Sequence, residues 1–264
     1  MTPNPIKTLW AAGKPAINGW LSIGNGFTAE IMASVGYDSV TADLQHGAFD
    51  YQAALTMFQA MRASGVAVMA RVPWLDPGAI MKALDAGAYG IICPMVNSRE
   101  EAERLVSYVR YPPHGTRSFG PTRVNFAAGA NYGGEANDNI VCLAMIETRE
   151  AFDRVEEIAA TPGLDGLYIG PADLTLALTG RRYRTGFDRG EPEMVEAIHR
   201  IRAAAKGAGI RAALHCGSPA YAARAVALGF DLVTLPNDVR ILARGAAADV
   251  AEARAAIKPG AASR

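Results

Sequence analysis

Cysteine is scarce in this chain, with Cys93, Cys142 and Cys216 the only three in 264 residues. They are odd in number and each sits inside an apolar run, which suits reduced, structural thiols and offers no disulfide framework. An excess of one charge is also missing, since Lys plus Arg and Asp plus Glu come to 26 each. Nothing global therefore draws the chain to nucleic acid or to an anionic membrane surface. No apolar run approaches the roughly 20 residues a membrane helix needs. The first residues, Met1-Thr2-Pro3-Asn4-Pro5, lack the apolar stretch of a secretory signal, so a cytoplasmic protein is expected. Lysine is rare as well: Lys7, Lys14, Lys82, Lys206 and Lys258 fall in predicted helices or near the termini. That counts against Schiff-base chemistry, which needs a desolvated lysine at a strand end.

What is present is alternation. Half of the residues are apolar, enough for a large core. Strand-like runs occur at 15–23, 39–44, 66–72, 90–96, 139–147, 166–170, 210–216 and 231–236. Helical spacing fills the intervals at 27–35, 51–63, 78–86, 98–110, 150–160, 193–208, 219–228 and 239–257. Eight of each predict an α/β fold, a single-domain (β/α)₈ barrel of the TIM type. Gly36, Gly87, Gly209 and Gly229 each fall where a helix gives way to the next strand, the place for a left-handed residue. Two stretches escape the pattern and read as long loops, lids or subunit contacts: 111–138 and 179–192. Residues 258–264 read as a frayed tail.

Several predicted strands end in a polar residue. Glu147 follows one apolar run, and Asp173 follows another across Gly170-Pro171-Ala172. Neighbouring parallel strands would deliver both carboxylates to the C-terminal rim, where barrel enzymes build their sites. Two hard oxygen ligands without a nearby cysteine suit Mg²⁺ or Mn²⁺, and Co²⁺ is accepted too. Each acid also has a plain structural reading, as a helix cap or a helix-start residue. The run ending in Asp43, Gln45 and His46 adds an imidazole, a natural proton carrier near neutrality, although a loop histidine can equally be structural. Arg71 closes an apolar strand, so an anion must meet it: a structural carboxylate or a substrate carboxylate. Asp85 could buttress His46 and hold its tautomer, or could be a solvated helix carboxylate.

Seven ordered segments then carry a resemblance. They are Asp43-Leu44-Gln45-His46, Arg71-Val72-Pro73, the segment from Leu84 to Ala88, Pro94-Met95-Val96, the segment from Arg110 to Arg117, Ile146-Glu147-Thr148, and the segment from Gly170 to Leu174. From about residue 18 to 240 the chain resembles the HpcH/HpaI aldolase/citrate lyase family, in particular its branch of 4-hydroxy-2-oxoheptanedioate and 2-keto-3-deoxy sugar acid aldolases. That resemblance implies a class II pyruvate aldolase: a lyase on a (β/α)₈ barrel that uses a divalent metal and no organic cofactor. Its substrates would be a small 2-oxo acid and an aldehyde. The assembly would be a homo-oligomer, trimer or hexamer, with the C-terminal helix in subunit contacts.

The same resemblance makes Glu147 and Asp173 the metal ligands. It gives Arg71 the oxo acid and its enolate, and makes His46, supported by Asp85, the proton-transfer group. The turn Gly170-Pro171-Ala172-Asp173 would hold the substrate carboxylate through the backbone N–H groups of Ala172 and Asp173, where a helix start favours an anion. Gln45 and Met145 depart from the family's usual Glu and Gln. The loss of a polar group at Met145 points to hydroxypyruvate as well as pyruvate among the donors. Other readings stay open: a coenzyme A-thioester lyase using Arg181, Arg182 and Arg184, a barrel enzyme for phosphorylated substrates using Cys216-Gly217-Ser218, and a non-catalytic 2-oxo acid binding barrel.

Overall fold

Eight short apolar runs become strands, each parallel to the next. They are β1 (Ala16–Leu21), β2 (Ser39–Asp43), β3 (Ala67–Arg71), β4 (Gly90–Cys93), β5 (Val141–Ile146), β6 (Gly166–Ile169), β7 (Arg211–His215) and β8 (Leu232–Thr234). They pair in chain order and β1 closes on β8, giving a complete barrel. The structure is a computed structural model and describes residues 1–257; the tail expected at 258–264 lies outside the described residues. Every strand end falls within three residues of its sequence-based position.

A strand's side chains alternate between the barrel interior and the layer under the helices. Trp20, Met69, Ile92, Leu143, Met145, Tyr168, Ala213 and Leu232 fill the interior. Their chain neighbours Leu21, Val68, Ala70, Ile91, Ala144, Leu167, Leu214 and Val233 pack outward against the helices. Burial on both faces explains why the strands read as continuous apolar runs rather than as alternating ones. The same period of two sets the direction of the polar strand ends. Asp43, Arg71, Glu147 and His215 all share the inward phase of Thr41, Met69, Met145 and Ala213.

The glycines expected to end helices do so in the left-handed region, with φ of +98° at Gly36, +112° at Gly87, +75° at Gly209 and +92° at Gly229. The helix expected over 150–160 is interrupted at Arg154, giving Arg149–Asp153 and Val155–Ala159. A helix that the sequence did not suggest, Pro5–Ala11, closes the N-terminal mouth. Asn4 caps it by accepting from the Ile6 N–H, Ile6 and Trp10 join the interior cluster, and Trp10 Nε1 donates to the Asp231 carbonyl at 2.9 Å.

The stretch 111–138, read as a long loop, instead contains the helices Arg123–Ala128 and Tyr132–Asn139. It joins the end of the helix Arg99–Val109 to the start of β5, so it lies at the N-terminal face and cannot cover the C-terminal rim of its own barrel. The stretch 179–192 follows β6 and the helix Pro171–Thr179, which places it at the C-terminal rim.

Candidate active site

At the C-terminal rim the β2–β3 register sets Asp43 directly beside Arg71. Arg71 donates from Nε to Asp43 Oδ1 at 2.8 Å and from Nη2 to Oδ2 at 2.5 Å. Trp20 Nε1 and the backbone N–H groups of Gln45 and His46 also donate to this carboxylate, at 3.2, 3.1 and 3.2 Å. Burial alone would raise the Asp43 pKa, but the Arg71 fork, its charge and the other donors outweigh burial and hold it below the ordinary value. A structural carboxylate thus meets the arginine. The pairing is also what aims it: the guanidinium lies 4.8 Å from the Trp20 ring centroid, and Nη1 has no hydrogen-bond partner among the described residues.

Glu147 follows β5 and is only 3% exposed. Its Oε1 accepts the Met95 N–H at 3.0 Å. Met95 reaches that position with φ of +56°, a left-handed conformation that costs a non-glycine residue about 1 kcal/mol or more. Burial pushes the Glu147 carboxyl up to about 7 and the Asp173 charge adds to the rise, while the Met95 N–H and Arg71 pull the other way. Gly170 is dictated by the same approach, because a Cβ there would stand 2.5 Å from Glu147 Oε2. The helix Pro171–Thr179 starts at this turn with no side-chain cap, so its first amides face the rim unclaimed by a side chain.

Whether this acid pair fits a metal can be judged from its chemistry. Neither Glu147 nor Asp173 has an ion-pair partner among the described residues, and a buried carboxylate beside another acid is stabilised by a cation placed between them. No three His, Cys, Asp or Glu side chains among the described residues cluster as a complete metal centre. The donor set therefore fits a hard divalent ion held by two carboxylates, with water and substrate oxygens completing the shell.

One cavity of about 460 Å³ gathers His46, Arg71, Glu147, Gly170, Ala172 and Asp173. Pro171 is buried beneath them as the first helical residue. His46 is exposed at the cavity wall, held by its backbone bond to Asp43. Asp85 is not brought to the site. It ends the helix Pro77–Asp85, which runs from the rim after β3 down to the N-terminal face, and its carboxylate is taken by Arg117 Nη2 at 2.6 Å. Within the chain, then, the expected support of His46 by Asp85 is corrected: helix geometry carries the acid to the opposite end of the barrel.

Trp20 and Phe187 also line the cavity, with Tyr168 buried against Trp20, and none of the three has a sequence signal that singles it out. Trp20 and Tyr168 read as ordinary strand aromatics, and Phe187 lies in a stretch too irregular to place. Phe187 brings the 179–192 segment over the rim, stacked on His215 with centroids 4.3 Å apart. Asp188 holds that segment down by accepting from the Gly217 N–H and the Ser218 hydroxyl, both at 2.6 Å. His215, recognisable in the sequence only as a second histidine at a strand end, has its pKa lowered to about 3, chiefly by burial and then by the Arg71 charge.

Fold and site together define a parallel barrel with an acid pair, an aimed arginine and an exposed histidine converging at its C-terminal rim. A family model described as HpcH/HpaI aldolase/citrate lyase matches residues 18–237. A hydroxypyruvate/pyruvate aldolase of Rhizorhabdus wittichii is 43% identical over 252 residues, covering 96% of this chain and 99% of that relative. A 4-hydroxy-2-oxo-heptane-1,7-dioate aldolase of Salmonella heidelberg is 36% identical over 255 residues, covering 93% and 92%. Among solved structures, an HpcH/HpaI aldolase/citrate lyase family protein from Burkholderia cenocepacia superposes with a TM-score of 0.86 at 31% identity, covering 94% and 98%. The chain belongs to the HpcH/HpaI aldolase/citrate lyase family.

Proposed function

We propose that this chain is a metal-dependent class II aldolase that reversibly cleaves 4-hydroxy-2-oxo acids into pyruvate or hydroxypyruvate and an aldehyde. The observation that carries this reading is the buried Glu147 facing Asp173 in the same cavity as Arg71 and His46. The names of the relatives point the same way, since two are aldolases acting on 2-oxo acids.

Glu147 and Asp173 would hold a divalent ion, Mg²⁺, Mn²⁺ or Co²⁺, which when bound supplies Lewis-acid polarisation of the oxo acid carbonyl. The Ala172 and Asp173 amides, at an uncapped helix start, suit the substrate carboxylate. Nη1 of Arg71 is aimed by Asp43 and Trp20 at the cavity, ready to stabilise the oxygen that becomes negative as the carbon–carbon bond breaks. His46 is the proton carrier for the C4 hydroxyl, working from an exposed position that exchanges protons readily with solvent. Asp85 is left out of this scheme.

No lysine among the described residues lines the cavity, which favours this route over a Schiff base. The thioester alternative is weakened because Arg182 spends its guanidinium on Glu193. We also infer a closed homo-oligomer, trimer or hexamer, acting in the cytoplasm. Two features support assembly: exposed Phe27, Ile31 and Val35 in line along one helix face, and Leu242 and Val250 on the largely exposed helix Asp238–Ala256. No helix among the described residues is long and apolar enough to cross a membrane.

The test is an aldehyde screen with pyruvate and hydroxypyruvate, each with and without EDTA. Condensation that EDTA abolishes and added Mg²⁺ or Mn²⁺ restores is the expected result. Full turnover in metal-stripped protein would end the metal-dependent reading, and no condensation with any aldehyde would end the aldolase reading.

A further inference from the structure

One histidine in the cavity has no task in the reaction described above. His215 ends β7 in the inward phase and is 9% exposed. Its ring is fixed on several sides. Phe187 stacks on it, and Trp20 meets it edge-on with centroids 4.9 Å apart. Its Nδ1 lies 3.0 Å from the Tyr168 hydroxyl. That hydroxyl donates to Thr234 Oγ1 at 2.7 Å. A phenol has one proton to give, so Tyr168 can only accept from the histidine. Nδ1 therefore carries the imidazole hydrogen.

In a neutral ring with that tautomer, Nε2 presents a bare lone pair. The ring stays neutral at any working pH, because burial and the Arg71 charge keep its pKa near 3. Nε2 has no hydrogen-bond donor among the described residues, and it is not one of the fully enclosed unpaired atoms. His215 lines the cavity. Of the rings that hold it, Phe187 is apolar and the Trp20 N–H is committed to Asp43, so neither donates to Nε2, and Arg240, which lines the cavity beside Phe187, makes no hydrogen bond to it among the described residues.

We propose that His215 is a specificity-determining residue whose Nε2 accepts a hydrogen bond from a hydroxyl on the 2-oxo acid, so that the cavity favours a donor hydroxylated beside its carbonyl over pyruvate. This rests on the aldolase reading and deepens it. Position supports it: Ile169 pairs with Leu214, so His215 stands level with Gly170, one strand from the acid pair. An oxo acid anchored at Gly170–Asp173 would then have the carbon next to its carbonyl within reach of β7. A hydroxyl there completes the lone pair, whereas a methyl group leaves an acceptor dry and unpaired. The weak basicity of the ring fits a fixed acceptor and separates its role from the proton transfer assigned to His46.

The experiment measures kcat/KM for hydroxypyruvate and for pyruvate with one common aldehyde and saturating Mg²⁺, in wild type and in His215→Phe, His215→Gln and Tyr168→Phe. Circular dichroism and thermal melts check folding. In His215→Phe, which keeps an aromatic ring against Phe187, the hydroxypyruvate-to-pyruvate ratio should fall by about tenfold or more, mainly through KM for hydroxypyruvate. His215→Gln, whose side-chain oxygen can replace Nε2, should recover part of the ratio. Tyr168→Phe, which releases the tautomer, should fall between. If His215→Phe does not fold, the other two carry the test, and an unchanged ratio in Tyr168→Phe overturns the proposal. An unchanged ratio in a folded His215→Phe, or equal losses with both donors, also overturns it while leaving the aldolase reading intact. Absence of condensation by wild type with either donor is the separate result that would sink the aldolase reading itself.

Discussion

The two ends of this barrel carry cavities of the same size, about 460 Å³ each, and charged residues line both. At the N-terminal end the principal charges are paired with one another, and the donors left over, Arg117 Nε and the Tyr111 hydroxyl, are fully buried. Arg110 gives Nη1 to the Ile140 carbonyl and Nη2 to Gly163 and Asp165, Lys7 pairs with Asp165 at 2.9 Å, and Arg117 is bonded to both Asp85 and the Tyr132 hydroxyl. At the C-terminal end the groups are held just as firmly but keep something in reserve. Among the described residues Arg71 retains one unpaired amino group, Glu147 is buried with no basic side chain paired to it, and His215 keeps a lone pair. Cavity volume does not tell the two ends apart; unpaired groups on residues that line the cavity do. A site is where the protein accepts buried polar groups that only a ligand can complete.

Substitution of Glu147 by Gln should produce the largest effect. Metal-dependent turnover should drop by at least about 10³-fold, because a neutral amide cannot replace an anionic ligand. Stability should move the other way. A carboxyl whose pKa is raised to about 7 by burial is destabilising when ionised, so the metal-free Gln variant should melt no lower than wild type at pH 8. A lower melting temperature with activity retained would make Glu147 a structural residue and erase the contrast between the ends.

His46→Ala comes next. It removes the proposed proton carrier and leaves Glu147, Asp173 and Arg71 in place, so cleavage should slow by roughly 10²–10⁴ while pyruvate affinity, read by calorimetry, changes little. Collapse of both would make His46 a binding residue, and no change in either would move the proton carrier elsewhere. Arg117→Met probes the opposite end. Arg117 is 3% exposed and lies 4.3 Å from the Tyr111 ring centroid, and its loss strands Asp85. Unfolding by urea should show a loss of about 3 kcal/mol, with kcat of the folded fraction near normal. A selective loss of kcat instead would show that the N-terminal face takes part in the reaction.

The barrel was legible because its strands are buried on both faces and its helices end on glycine, signals that are local and periodic. The rim acids and Arg71 were legible because a charge that closes an apolar run has few ways to be tolerated. Three things were hidden. The helix Pro5–Ala11 is too short for a period to show, and the helices at 123–139 sit among Gly and Asn that read as loop. The third concerns direction: Asp85 lies in a suggestive segment, but nine residues of helix carry it from the rim to the far face. The partners of Arg71 and His215 belong to neighbouring strands, and only the register that pairs Asp43 with Arg71, or sets His215 level with Gly170, makes them visible.

The smallest effect expected is a pH dependence of stability that belongs to the C-terminal end alone. His215 is neutral in the folded chain down to about pH 3, whereas an unfolded histidine takes up a proton near 6.5. Above about 6.5 neither state is protonated and the residue contributes no slope. Between that value and about 3 the unfolded chain binds a proton that the folded chain refuses, so stability falls as pH falls, by about 1.4 kcal/mol per unit. His215→Phe has no proton to bind and should lose this component. Comparing the two metal-free proteins by urea unfolding at pH 7.5 and 5.5 isolates it, because the other groups, Glu147 included, titrate in both. The wild type should lose about 1 kcal/mol more than the variant over that interval. Parallel losses would mean that the folded histidine accepts the proton too, and with it would go the bare Nε2 on which the proposed donor preference depends.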